Sequence, residues 1–176
     1  MFRSTRVRLG DGRIALIRRA RPRDAKAVIS HVNAVGAERV YLMTERLNVT
    51  LKEEKAILRR ADGESRLYLV AIVDGKIGGT ADFSRGRQSN NRHVASCGIA
   101  LRRDVRGLGL GKAMMRAGLS WARSVGIRKV TLGVFATNRN ARALYRTLGF
   151  VREGQLRGQV MLDRKPVDEL LLAVWL

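Results

Sequence analysis

The chain has 176 residues, of which 45% are hydrophobic and 28% charged, a length and composition typical of one domain with a buried core. Its formal net charge of +20 predicts an acidic partner, or else a basic surface that serves solubility. No stretch approaches the ~18 consecutive apolar residues of a membrane span, no apolar run follows the basic N-terminus, and one cysteine cannot close an internal disulfide, so a membrane or secreted protein is not expected.

Hydrophobic periodicity divides the first half of the chain into strand and helix patterns that follow a basic segment, 1–12. In chain order these are a strand at 13–18, a helix at 22–36, a helix at 51–61, and strands at 67–73 and 77–83. Thr50 and Glu53 form a capping box before the second helix, because each side chain can satisfy a backbone donor near the other. Asp74-Gly75 predicts a two-residue turn that joins the next two strands as a hairpin.

The second half continues with alternating patterns and no linker. They are a strand at 94–101, a helix at 110–126, a strand at 129–135, a helix at 140–148, and strands at 150–161 and 168–175. Gly126 ends the longest helix. The sequence therefore predicts one α/β domain over 1–176, with a core at 13–176, about seven strands and about four helices.

A glycine-rich segment stands between the predicted strand at 94–101 and the following helix. It reads Arg106-Gly107-Leu108-Gly109-Leu110-Gly111-Lys112. Glycines at this place let a ligand approach the backbone, and the first free N–H groups of the helix point outward with the positive end of its dipole. Arg106 and Lys112 flank the segment with two positive charges, so it predicts a cradle for a diphosphate.

Three other interpretations of this segment compete with the diphosphate cradle. A nucleotide P-loop requires four residues between its glycines and a Ser or Thr after the lysine, where this chain has Ala113. A dinucleotide fingerprint requires G-x-G-x-x-G after a first strand, whereas the spacing here is G-x-G-x-G in mid-chain. The third interpretation is a turn that binds no ligand. Three glycines at a helix start lower the stability of the helix by up to ~1 kcal/mol each relative to alanine, and without a ligand nothing would offset this loss.

The same segment resembles the acetyl-CoA signature of the GCN5-related N-acetyltransferases (GNAT), Q/R-x-x-G-x-G/A. Asn138, Tyr145, Gly149 and Phe150 are similar to a second motif of that family at the family's spacing, and Asp168 before a hydrophobic strand is a third match. The resemblance covers about 13–176. It implies an α+β fold with a mixed central sheet, in which two splayed parallel strands form the cofactor slot.

The resemblance also implies where acetyl-CoA would bind. Ile99, Ala100 and Leu101 would bond its pantetheine arm through their main chain, and the segment from Arg106 to Lys112 would bind the diphosphate. Asn138 would bond the cofactor or cap the following helix. We expect no metal, because the two histidines, His31 and His93, are isolated in sequence, and we interpret Cys97 as a small buried residue rather than a nucleophile.

Transfer of the acyl group to an amine requires a proton donor for the departing thiolate and a base for the amine. Tyr145 matches the donor of the family, although its helix position would also suit a plain core tyrosine. The family's frequent glutamate base is replaced by Ser96, so Glu38 and His93 are the candidates. A surface or structural role suits each of them better than the role of base, and ordered water could serve instead.

We therefore predict a cytoplasmic acetyl-CoA-dependent N-acetyltransferase. Its acceptor would be a small amine, an amino acid or a protein N-terminus, and the arginines could dock it on a ribosome or nucleic acid. The alternative is a basic ribosome- or nucleic-acid-binding module that kept the fold without the activity. Aromatic residues make up only 5% of the chain and form no platform for stacking bases, which disfavours this alternative. A homodimer is left open by the sequence.

Overall fold

The computed structural model describes residues 2–40 and 46–176, which form an eight-stranded sheet with helices on both faces. The elements are β1 Thr5–Arg8, β2 Ile14–Arg19, α1 Ala25–Gly36, α2 Leu51–Arg60, β3 Arg66–Val73, β4 Lys76–Arg85, β5 Val94–Leu101, α3 Leu110–Ser124, β6 Lys129–Phe135, α4 Arg139–Thr147, β7 Val151–Leu162 and β8 Lys165–Trp175. The strand order is β1-β2-β3-β4-β5-β6-β8-β7, and only β5 and β6 are parallel neighbours. None of the helices in these ranges is long and apolar enough to cross a bilayer.

The predicted mixed α/β fold is confirmed, with one more strand than expected. All seven predicted strands and all four predicted helices are present, with ends that differ by at most three residues. The additional strand, β1, comes from the basic segment 1–12 and pairs with β2 at the edge of the sheet. Only four residues long and rich in arginine, β1 carries too short an alternation to be recognised in the sequence.

Local sequence signals explain why two of the predicted elements form where they do. At the start of α2, the Glu53 backbone N–H donates to Thr50 Oγ1 at 3.2 Å, and the Thr50 N–H donates to Glu53 Oε2 at 2.7 Å. At the β3–β4 turn, Asp74 and Gly75 have φ values of 52° and 72°. Two consecutive positive φ values give a type I′ turn, which matches the twist of the flanking strands.

The sheet has an apolar layer on each face. On β3, Leu67 and Leu69 belong to the cluster packed under α3 and α4, whereas Tyr68 and Val70 belong to the cluster under α1 and α2. Successive residues of a strand point to opposite faces, so β3 is buried from both sides. The two layers bury the central strands, which flank the gap that opens between β5 and β6.

Candidate active site

The two parallel strands at the middle of the sheet separate after three residue pairs. Val94–Ser96 of β5 pair with Lys129–Thr131 of β6, and no further pairs follow. Beyond that point β5 keeps pairing with β4 as far as Leu101, and β6 keeps pairing with β8 as far as Phe135. A wedge therefore opens between the two strands, as the resemblance implied.

Main-chain polar groups face into this wedge. The Arg102 N–H donates to the Gly78 carbonyl at 2.9 Å, so Arg102 belongs to a hydrogen-bonded pair between β5 and β4. Such pairs alternate along antiparallel strands, which turns the N–H and C=O groups of Ile99 and Leu101 away from β4 and toward the wedge. Gly133 on β6 is turned toward it in the same way by the pairing with β8. These groups can hydrogen-bond an extended ligand.

A cavity of about 650 Å³ fills the wedge and continues to the start of α3. It brings together most residues that the sequence predicted for a ligand site: Ile99, Ala100, Leu101, Arg106, Gly107, Gly109, Gly111, Lys112, Asn138 and Tyr145. Leu108 and Leu110 differ, because their side chains pack into the core and neither residue lines the cavity. Glu38 and His93 do not line this cavity.

The glycine-rich segment presents free backbone donors to the cavity. In the part of the chain that the structure describes, none of the six N–H groups from Gly107 to Lys112 donates a hydrogen bond, and the first helical bond of α3 runs from Ala113 to Gly109. Gly107 and Gly109 have φ values of 73° and 88°, a region that side chains disfavour. The unpaired donors of the four residues that line the cavity, Gly107, Gly109, Gly111 and Lys112, have the helix dipole behind them and form an anion-binding cradle.

The two cations predicted beside the cradle are held differently. Lys112 lines the cavity, and no described residue forms a hydrogen bond or an ion pair with its ammonium group. The Arg106 guanidinium instead binds Glu38 in a bidentate pair, with N···O distances of 2.6 and 2.7 Å, and donates through Nε to the Leu101 carbonyl at 2.9 Å. Arg106 therefore connects Glu38, which follows α1, to the end of β5 at the wedge.

This ion pair bears on the predicted role of Glu38 as a base. The hydrogen bonds from Arg106, together with its charge, lower the pKa of the Glu38 carboxyl below its ordinary value. A lowered pKa weakens a carboxylate as a proton acceptor. The contacts of Glu38 therefore favour a structural role, one of the two that the sequence left open.

Tyr145 reaches the cavity from α4. Its side chain is 6% exposed, and its ring packs against Phe150 with centroids 5.6 Å apart. No described residue forms a hydrogen bond with its hydroxyl, which lies beside the cavity. Burial raises the pKa of the phenol above its ordinary value, so it stays protonated at neutral pH. The hydroxyl is available as a proton donor.

Two further predicted residues have structural contacts. The Asn138 side chain accepts a hydrogen bond from the Ala141 N–H at 3.1 Å, which caps α4. Its amide N–H₂ group remains beside the cavity. Cys97 lines the same cavity, and burial raises the pKa of its thiol, which disfavours the nucleophilic thiolate.

His93 lies outside the cavity at the head of β5. Its side chain is exposed, and its backbone carbonyl accepts hydrogen bonds from the N–H groups of Arg128 and Lys129. Ser96 is also exposed. Over residues 2–40 and 46–176 no group of three His, Cys, Asp or Glu side chains could hold a metal ion.

Two residues that the sequence did not single out contribute to the site. His31 on α1 is buried, and its Nε2–H donates to the Ala100 carbonyl at 3.1 Å, while burial lowers the pKa of the ring. Glu169 on β8 is 8% exposed and lines the cavity. Its one sequence signal is a carboxylate at the start of an apolar run, and that signal does not show which face of the strand it occupies.

Comparison with known proteins agrees with this geometry. The chain is 27% identical to YwnH of Bacillus subtilis, whose name assigns it to the phosphinothricin acetyltransferases, over 89% of this chain and 96% of that one. It is 28% identical to the L-amino acid N-acetyltransferase AaaT of Escherichia coli, over 65% and 72% of the two chains.

Solved structures give the same result. A GNAT-family acetyltransferase of Streptococcus pneumoniae superposes with a TM-score of 0.87 at 27% identity, covering 92% of this chain and 99% of that one. The acetyltransferase yncA of Salmonella typhimurium, solved with acetyl-CoA, shares the fold with a TM-score of 0.82 at 20% identity, over 92% and 93% of the two chains. The family model described as "Acetyltransferase (GNAT) family" matches residues 37–150. The chain therefore belongs to the GNAT acetyltransferase family.

Proposed function

We propose that this protein transfers the acetyl group of acetyl-CoA to the α-amino group of an amino acid. Members of the GNAT family use acetyl-CoA, which supplies an activated acetyl group as a thioester. The observation that carries the proposal is the continuous path from the free N–H groups at the start of α3 to the hydroxyl of Tyr145.

The residues of the cavity fit coenzyme A. The N–H groups from Gly107 to Lys112 would hold the diphosphate, with the ammonium of Lys112 adding charge. The main-chain groups of Ile99 and the N–H of Leu101 suit the amides of the pantetheine arm, whereas the Leu101 carbonyl already accepts a hydrogen bond from Arg106. Arg106 would act indirectly, because its bonds to Glu38 and the Leu101 carbonyl fix the strand end that faces this arm.

Tyr145 would hold and deliver the proton that the departing sulphur requires. A phenol of raised pKa keeps its proton at neutral pH, and the absence of a hydrogen-bond partner among the described residues leaves that proton free to move. The same raised pKa increases the cost of giving the proton up. A hydrogen bond between the phenol and the developing thiolate in a water-poor cavity would offset that cost.

Charge and relatives support an amino-acid acceptor. YwnH and AaaT carry names that refer to phosphinothricin and to L-amino acids. A protein of net charge +20 repels polycationic amines, whereas an amino acid is not repelled, because its carboxylate cancels the charge of its ammonium group. A protein N-terminus as acceptor, a ribosome or nucleic-acid contact and a homodimer stay predictions from the sequence.

Ligand-dependent melting tests the proposal. Acetyl-CoA at about 100 times its Kd should stabilise the protein by about 2.7 kcal/mol, which raises Tm by roughly 5 to 10 °C for a chain of this size. NAD and ATP should leave Tm unchanged. A screen of amines with detection of free thiol should then show faster release with amino acids than with polyamines, and no release with any amine would refute the transferase function.

A further inference from the structure

Glu169 is a carboxylate of the cavity wall that has no partner among the described residues. It lies on β8 with 8% of its surface exposed, and its side chain lines the wedge cavity. No described residue donates a hydrogen bond to its carboxylate, and none forms an ion pair with it. An unpaired carboxylate that opens onto the cavity is available to bind a cationic group of a ligand.

The neighbouring strand leaves room for this carboxylate. Gly133 on β6 pairs with Leu171, two residues after Glu169 on β8, and a side chain at 133 would occupy the volume that the Glu169 carboxylate oxygen Oε1 now fills. Gly133 is itself exposed to the cavity and needs no positive φ. The glycine is therefore explained by the position of Glu169, and together they form a small acidic depression in the cavity wall.

This depression faces away from the cradle. On β8, Leu170 and Leu172 pack in the core under α3 and α4, so the alternation of the strand turns Glu169 to the opposite face of the sheet. The cradle lies at the start of α3, on the first face. A cofactor gripped there and threaded through the wedge leaves the face of Glu169 to the acceptor.

Other acidic side chains are already engaged or are closed off. Glu38 is bound to Arg106, and Asp82 is bound to Arg66 at 2.7 and 2.8 Å. Glu54 is a buried residue of α2 with Oε1 unpaired, but it does not line the cavity. Among the described residues that line the cavity, Glu169 is the one carboxylate. The other titratable groups of the lining are Cys97, Arg106, Lys112 and Tyr145.

We propose that Glu169 binds the acceptor's ammonium group and removes one of its protons, an inference that rests on the proposed transferase function. One N–H bond breaks and its proton passes to the carboxylate. The freed lone pair forms the C–N bond as the C–S bond breaks and its electrons go to sulphur. Sulphur takes the proton of Tyr145, and the second proton lost by nitrogen restores the phenol. The products are an amide, a thiol and one proton that leaves Glu169 for solvent.

Glu169→Gln tests this role, because it removes the charge and keeps the shape. At pH 7 we expect kcat/KM for the amine to fall at least about 10²-fold, with recovery as the pH approaches the amine's own pKa, where no proton acceptor is needed. Isothermal titration should show acetyl-CoA affinity within about twofold of wild type, and weaker binding of the amine to the protein–CoA complex. Glu64→Gln, which removes an exposed carboxylate, should change none of these values.

Gly133→Ala is an independent test of the same role. The added methyl group would displace the Glu169 carboxylate without any change to residue 169 itself. The loss in kcat/KM should match that of Glu169→Gln. Two results would overturn the role of Glu169 and leave the transferase function standing. One is a wild-type kcat/KM in Gly133→Ala. The other is a wild-type kcat/KM and an unchanged pH profile in a folded Glu169→Gln variant. A wild-type protein that transfers acetyl to no amine would overturn both.

Discussion

Tyr145→Phe should lower kcat by about 10²- to 10⁴-fold, the range by which a positioned proton donor accelerates a reaction. The phenylalanine ring keeps the packing against Phe150 and removes only the hydroxyl beside the cavity. Acetyl-CoA affinity, measured by isothermal titration, should stay within about twofold, because the cradle at the start of α3 does not involve this hydroxyl.

The pH dependence of this role has a definite sign. Burial raises the pKa of Tyr145 above its ordinary value near 10, and the donor is active in its protonated form. Activity should therefore not decline through titration of Tyr145 at any pH below about 10. A decline in kcat between pH 8 and 9 that disappears in Tyr145→Phe would contradict this assignment.

Tyr68→Phe is the matched control. Tyr68 is also a buried tyrosine with a pKa raised by burial, but it lies on β3 under α1 and α2 and does not line the cavity. We expect normal kcat from Tyr68→Phe. Normal kcat from Tyr145→Phe as well would assign Tyr145 to the core alone.

Gly107→Ala should weaken coenzyme A binding by at least about tenfold, or about 1.4 kcal/mol. A methyl group at a φ of 73° costs about 1 to 2 kcal/mol of conformational energy and would project into the open cavity where the diphosphate is proposed to lie. Isothermal titration with coenzyme A measures the loss directly.

Gly75→Ala separates the loss of the ligand contact from backbone strain. Gly75 has a φ of 72°, and a β-carbon there would also meet nothing within 4 Å, but it lies in the β3–β4 turn and does not line the cavity. Both variants should lose similar stability, and only Gly107→Ala should lose affinity. Equal affinities in the two variants would remove Gly107 from the binding site.

Elements with short-range signals could be predicted from the sequence, and elements held by distant contacts could not. The Thr50–Glu53 capping box and the Asp74-Gly75 turn depend on residues at most three positions apart, and both formed as expected. Strand β1 forms by pairing with β2, and its four residues are too few to show a hydrophobic alternation in the sequence.

In the candidate site, too, the feature formed by a continuous segment could be predicted, and the contacts between distant residues could not. The cradle from Gly107 to Lys112 is a continuous segment between a strand and a helix, and its spacing alone indicated an anion site. The bond between Arg106 and Glu38 joins residues 68 positions apart, so the sequence could not show that these two charges neutralise each other. Glu169 and Gly133 meet only because β6 and β8 are neighbours in the sheet.

The free N–H groups at the start of α3 are the feature on which the proposed function depends, and a comparison of two ligands tests them most directly. Isothermal titration would measure the affinity of the wild-type protein for coenzyme A and for pantetheine. The two ligands differ in the phosphate-bearing part, which pantetheine lacks. Coenzyme A should bind at least about 10²-fold more tightly, a difference of about 2.7 kcal/mol. Equal affinity for the two ligands would contradict the assignment of these amides to a diphosphate.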